Sequence, residues 1–157
     1  MSKQTISTEI AEHVDKTPIG VLAYVRADRT PVQRTLGAFA RLGDDIVFAT
    51  GRRSAKVANL AERPRASFFV EPAGQEPPKW RSALFTGEVR EVTCATKRDA
   101  ALAAVSARNA YIRERLAQNG GADFAIYRLE TREIEWLDRT KGAGYVERIL
   151  VAEEVPA

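Results

Sequence analysis

Short runs in which apolar and polar positions alternate fill most of this chain, and they are punctuated by Gly, Pro and Asp, the rhythm of strands joined by tight turns. Ile10 and Val14, four apart, mark one face of a short helix that Thr8 can cap and Pro18 stops. Residues 19–25 form the first β-type run, closed by the turn residues Asp28, Thr30 and Pro31. Residues 32–42 read as one strand, with Arg34, Leu36, Ala38 and Ala40 on one face and Gln33, Thr35, Gly37, Phe39 and Arg41 on the other. After Gly43-Asp44-Asp45, residues 46–49 make a third strand that ends at Thr50-Gly51.

Ser54 opens a helix running to Ala61, and Pro64 ends it. Residues 66–70 are a fourth strand, 71–79 a Pro- and Gly-bearing loop, and 80–93 a long fifth strand in which Gly87 marks a bulge or a close backbone approach. Residues 96–118 predict the longest helix, striped by Leu102, Val105, Asn109 and Ile112 and ended by Gly120-Gly121. Two further strands are expected at 124–129 and 133–137. Six or seven strands, the first three joined by turns alone, point to a small α+β barrel rather than a doubly wound sheet.

Composition adds limits. With 157 residues, 45% of them hydrophobic, the chain suits one domain. His13 and Cys94 are the only residues of their types, too few for a four-ligand zinc site, so no metal is expected. No apolar run reaches membrane length and the start carries no signal-like segment, which leads us to expect a cytoplasmic protein with no membrane partner. A net charge of +3 with acids interspersed gives no reason to expect nucleic acid. Lys97, Arg98, Arg108, Arg113 and Arg115 read as a solvated helix face, mixed as they are with Asp99 and Glu114. His13 reads as a surface residue, Cys94 and Trp80 as packing residues, and Gly142-Ala143-Gly144 as a loop.

One segment stands apart. Thr50-Gly51-Arg52-Arg53-Ser54-Ala55-Lys56 joins a strand to a helix start and offers two hydroxyls, exposed backbone N–H groups and a lysine, as an anion requires. Arg34 on the neighbouring strand can add a planar fork. On spacing alone the same residues read equally as an ordinary helix cap beside a charged face.

The combination of Arg34-Thr35-Leu36, Phe48-Ala49-Thr50, Ser54-Ala55-Lys56, Asn59-Leu60, Pro64, Ala66-Ser67-Phe68, Trp80 and Phe85-Thr86-Gly87 resembles, over a core of about residues 10–138, the pyridoxamine 5′-phosphate oxidase-like split-barrel superfamily. The resemblance implies a split β-barrel that holds flavin mononucleotide (FMN), with Arg34, Thr50, Ser54 and Lys56 on its phosphate, Ala49 and Ala55 beside them, the ring along Thr35, Leu36 and Gly37, and Ser82 near it. It further implies a homodimer with each flavin at the interface, and an oxidoreductase passing hydride or electrons to a small molecule. A deazaflavin- or haem-using member of the superfamily and a non-catalytic flavin-binding or sensing protein are the alternatives. Two departures argue against vitamin B6 oxidation itself: Phe39 stands where the oxidase has a substrate-gripping lysine, and no Trp-Gly-Gly-x-Arg signature occurs near Trp136. Ala55 replaces a basic residue, for which Arg52 or Arg53 can compensate.

Overall fold

A computed structural model describes residues 5–151. Helix α1 (Thr8–Lys16) is capped by Ser7, whose Oγ accepts from the Ile10 N–H at 3.3 Å, so the cap lies one residue before the expected Thr8. It buries Ile10 and Val14, the two residues whose spacing sets them on one face.

Strands β1 (Gly20–Val25) and β2 (Pro31–Leu36) form a hairpin. The single strand expected over 32–42 is in fact two: β2 ends at Leu36 and β3 (Phe39–Leu42) begins after a bend at Gly37 and Ala38. The alternation of faces predicted across that run therefore fails after Leu36, and Phe39 and Ala40 are both buried. Strand β4 (Asp45–Gly51), helix α2 (Ala55–Glu62) and strand β5 (Arg65–Val70) follow, and β6 (Arg81–Glu91) is long, with its register slipping between Thr86 and Gly87.

The predicted long helix is broken. Asn109 adopts an extended backbone (φ −127°, ψ 110°) and separates α3 (Ala95–Arg108) from α4 (Ala110–Asn119), its side chain capping the second helix. The two strands expected near the end are one continuous strand, β7 (Phe124–Asp138), and an eighth strand unforeseen in the sequence, β8 (Val146–Leu150), pairs with its second half. Gly142 and Gly144 lie in the loop between them, at φ of 133° and 74°.

All pairings are antiparallel, and the sheet runs β2-β1-β5-β6-β7-β4-β3, with β8 beside β7. Its two edge strands, β2 and β3, are consecutive in the chain. The sheet thus curls into a half-barrel, the α+β split barrel that the strand count predicts. Leu22, Phe68, Phe85 and Ile134 lie in one register row across its inner face, with Val70, Ala83 and Trp136 in another. The opposite face of β4 and β7 packs under α3 and α4 through Val47, Ala49, Leu102, Val105, Ile112 and Ile126. Burial on both faces explains why residues 46–49 read as an unbroken apolar run.

Glycine is compelled at Gly87: a Cβ there would stand 1.9 Å from the Glu130 carbonyl oxygen, where β6 and β7 cross at the bulge. Gly87→Ala should therefore destabilise the fold by about 3 kcal/mol or more, since the obstacle is backbone. Gly51→Ala, with nothing within 4 Å of its Cβ, should be nearly silent in the same urea titration. Equal midpoints for the two variants would contradict this packing.

His13 is not the free surface residue its sequence suggests. Its ring meets Trp136 edge-on at 4.9 Å, and burial, with the Arg81 charge adding to it, holds the imidazole below its ordinary value of 6.5. The unfolded chain then takes up the proton first, so stability should fall as pH drops through and below that value. His13→Phe should show a shallower loss of melting temperature between pH 7 and 5; parallel curves would refute the assignment.

Candidate functional site

Strand β4 delivers Thr50 to the sheet end with its side chain on the same face as Phe48 and Ile46, 7% exposed. The chain then turns through Gly51–Arg53, the Ser54 N–H donating to the Gly51 carbonyl at 3.0 Å. Ser54 caps α2: its Oγ accepts from the Lys56 N–H at 3.3 Å, leaving its hydroxyl proton free for a ligand. The other end of α2 is pinned by Arg63, which donates to the Val25 carbonyl of β1 at 3.1 Å and to Asn59 Oδ1 at 3.0 Å. The helix start is thereby fixed beside the β1–β2 hairpin.

Arg34 and Lys56 come within electrostatic reach of each other there. Lys56 is half-buried, and its ammonium is held below its ordinary value first by that burial and then by the positive charge of Arg34. Arg34 occupies the register row of Leu22 and Phe68 but is exposed, because β2 is the sheet edge; its Nη1 donates to the Gln33 carbonyl at 2.7 Å. Among the described residues neither cation has a carboxylate partner. Two like charges with no carboxylate partner, beside a helix start and two hydroxyls, are the kind of arrangement an anion requires.

The remaining expected residues divide. Leu36 is buried against β1 opposite Gly20, and Ala49 is buried with its N–H donating to the Ala38 carbonyl at 2.9 Å. Thr35, Gly37 and Ala55 are exposed around the split. Thr35 and Ser82 point to the outer face of the sheet, but Ser82 lies on β6, three strands from β2 and so about 14 Å away. It is not part of the cationic cradle. Arg52 is drawn off to the Ala122 carbonyl at 3.0 Å and to Glu91 at 3.3 Å, which leaves Arg53, exposed, to stand in for the basic residue lost at Ala55.

Several other side chains depart from their sequence reading. Arg98 and Arg108, expected on a solvated face, turn in to donate to backbone carbonyls of Gly121 and Phe124, and of Val14 and Thr17. Cys94, expected to pack, is exposed at the start of α3. Trp80 precedes β6, 37% exposed, with the Arg139 guanidinium 5.1 Å from its ring. Phe39, by contrast, is fully buried against Phe68 at 4.8 Å and carries the Arg108 guanidinium 4.5 Å from its ring centroid. No helix among the described residues is long and apolar enough to cross a membrane.

Solved structures share this architecture. A conserved hypothetical protein of Mycobacterium tuberculosis superposes with a TM-score of 0.73 at 22% identity, over 90% of this chain and 92% of its own. A haem-binding protein of Mycobacterium smegmatis gives 0.68 at 22% identity over 92% of this chain, which spans only 59% of that protein's length. An FAD-binding protein of Mesorhizobium loti gives 0.62 at 19% identity, covering 85% and 96% of the two chains. At these identities the likeness establishes the fold. No curated protein matches the chain. The sequence itself matches the profile of pyridoxamine 5′-phosphate oxidase over residues 6–137, which takes in every strand from β1 to the end of β7 except its last residue, and the chain therefore belongs to that family.

Proposed function

We propose that this chain binds FMN as a homodimer and works as an oxidoreductase on a small molecule other than a B6 vitamer. The observation that carries the reading is the uncompensated pair Arg34 and Lys56 beside the start of α2. A phosphate monoester fits it: Arg34 supplies a fork, Lys56 a point charge, Thr50 and Ser54 hydroxyls, and the first turn of α2 its free N–H groups. The ring then runs along Thr35, Leu36 and Gly37 of the sheet edge. When bound, the flavin supplies the electron-transfer chemistry, while the protein binds, orients and shields it. Phe39 supports exclusion of B6 substrates, since the position that would present a cation to substrate is sealed inside the core.

The dimer is supported by the outer face of the sheet. Val21, Phe69 and Leu84 share one register row there, adjoining Ile19, which is 55% exposed. An apolar strip crossing three strands of an otherwise finished fold calls for a partner surface. Covering it with a second copy would place each split edge beside the other subunit.

Visible spectra of the purified protein, and of the protein titrated with FMN, distinguish flavin from deazaflavin and haem. Arg34→Ala and Lys56→Ala should each weaken FMN binding by about 1–3 kcal/mol, and riboflavin, which lacks the phosphate, should bind poorly to the wild type. Riboflavin binding as tightly as FMN would remove the phosphate assignment. Stopped-flow reduction by NADH or NADPH faster than that of free FMN is expected of an enzyme; a mere binding protein would show no acceleration.

Leu84→Lys should convert the dimer to a monomer in sedimentation velocity and weaken FMN binding with it. A wild type that sediments as a monomer at tens of micromolar would refute the interface.

A further inference from the structure

The bend between the two edge strands is faced by segments from outside the sheet. A Cβ built on Gly37 would meet Asn109 Nδ2 at 3.6 Å and the Pro18 carbonyl oxygen at 3.9 Å. Both distances are ordinary contact, and the Gly37 φ lies outside the left-handed range, so neither space nor backbone strain demands glycine here. Open backbone at such a point suits a ligand that lies directly against it.

Asn109 is the residue that breaks α3 from α4. Its Oδ1 accepts from the Ile112 N–H at 3.1 Å, and this fixes the plane of the amide. Among the described residues the Nδ2 donors have no hydrogen-bond partner, and they stand toward Gly37. Capping needs only the oxygen, and Asp or Ser caps a helix as well as Asn. The amide nitrogen is therefore spare as far as α4 is concerned.

Its position is set by Arg108. That guanidinium donates to the Thr17 carbonyl at 2.5 Å and reaches the Val14 carbonyl at 3.4 Å, while lying over Phe39. A single side chain thus ties the end of α3 to the end of α1 and to β3. Asn109 and Pro18 are held against the same bend as a result.

We propose that Asn109 is a specificity-determining residue of the cofactor site, donating from Nδ2 to a carbonyl oxygen on the pyrimidine edge of the ring, with the Pro18 carbonyl as the acceptor on the same side. The inference rests on the FMN reading above and narrows it. A donor beside an acceptor matches the alternating carbonyl and N–H groups of a flavin edge and has no counterpart on the rim of a haem. Arg108 acts through Asn109 as a positioning residue.

FMN titrations followed by quenching of flavin fluorescence test this, with thermal melts of the ligand-free proteins alongside. Asn109→Ser keeps the cap but not the reach, and should raise the FMN Kd about three- to tenfold, the worth of one neutral hydrogen bond. Asn109→Asp keeps the cap and opposes a carboxylate to the ring carbonyls, so it should raise Kd further and make the potential of bound FMN more negative. Gly37→Ala should weaken binding with an unchanged melting temperature. If both Asn109 variants bind FMN like wild type while Arg34→Ala and Lys56→Ala weaken it, the inference falls and the FMN reading stands. A wild type that binds no FMN overturns both.

Discussion

Two residues, Gly37 and Ala38, are all that separate one edge of this sheet from the other. Three Cα steps from Leu36 to Phe39 span at most about 11 Å, so the sheet that intervenes has no freedom to lie flat. It must curl until β2 and β3 stand side by side. The large residues of the inner face then share a closed interior. The same closure sets Arg34, on one edge strand, near the end of β4, which neighbours the other. The cationic cradle is thus a product of sheet curvature, assembled from residues that a flat sheet would hold at opposite extremes.

Arginine does much of the fastening around that closure, and three of its long-range ties end on backbone carbonyls. Arg63 ties α2 to β1, Arg98 ties α3 to the start of β7, and Arg108 ties α3 to the end of α1. A guanidinium suits this work because it stays charged and offers several donors in a fixed plane. Each such anchor satisfies a carbonyl near an element's end, where the regular ladder has run out. Among the described residues Arg34 and Lys56, at the split, have no such engagement to a distant element: Arg34 donates to the adjacent Gln33 carbonyl, and Lys56 feels the charge of Arg34.

Much of this was legible in the chain, and the misses share a physical cause. Ser54 announced its helix because a hydroxyl before a helical run is a local signal, readable without tertiary context. Gly37 carried an equally local signal that was passed over: glycine inside a strand pattern marks a bend, and reading through it fused β2 with β3. Asn109 was hidden by its place in an apolar stripe, since Leu102, Val105 and Ile112 do share one buried cluster although the helix between them is interrupted. Strand β8 is short and mostly exposed, leaving little alternation to detect. The meeting of Arg34 with Lys56 had no local trace at all. It depends on the closure of the whole sheet; strand adjacency allows Arg34 to join the Lys56 segment, and the resemblance to a known family implies that it does.

Strand β7 has a consequence for how the protein comes into being. It begins at residue 124, yet it is the partner of β4 along its first half, of β8 along its second, and of β6 through most of its length. Until it is made, β3 and β4 form a hairpin with no ladder pairing to the other strands of the sheet, joined to them only through the chain at Gly37 and Ala38 and at α2, and the inner face has no second wall. During synthesis, then, roughly the first four fifths of the chain emerges with its aromatic rows exposed, and consolidation comes late, through pairings distant in sequence.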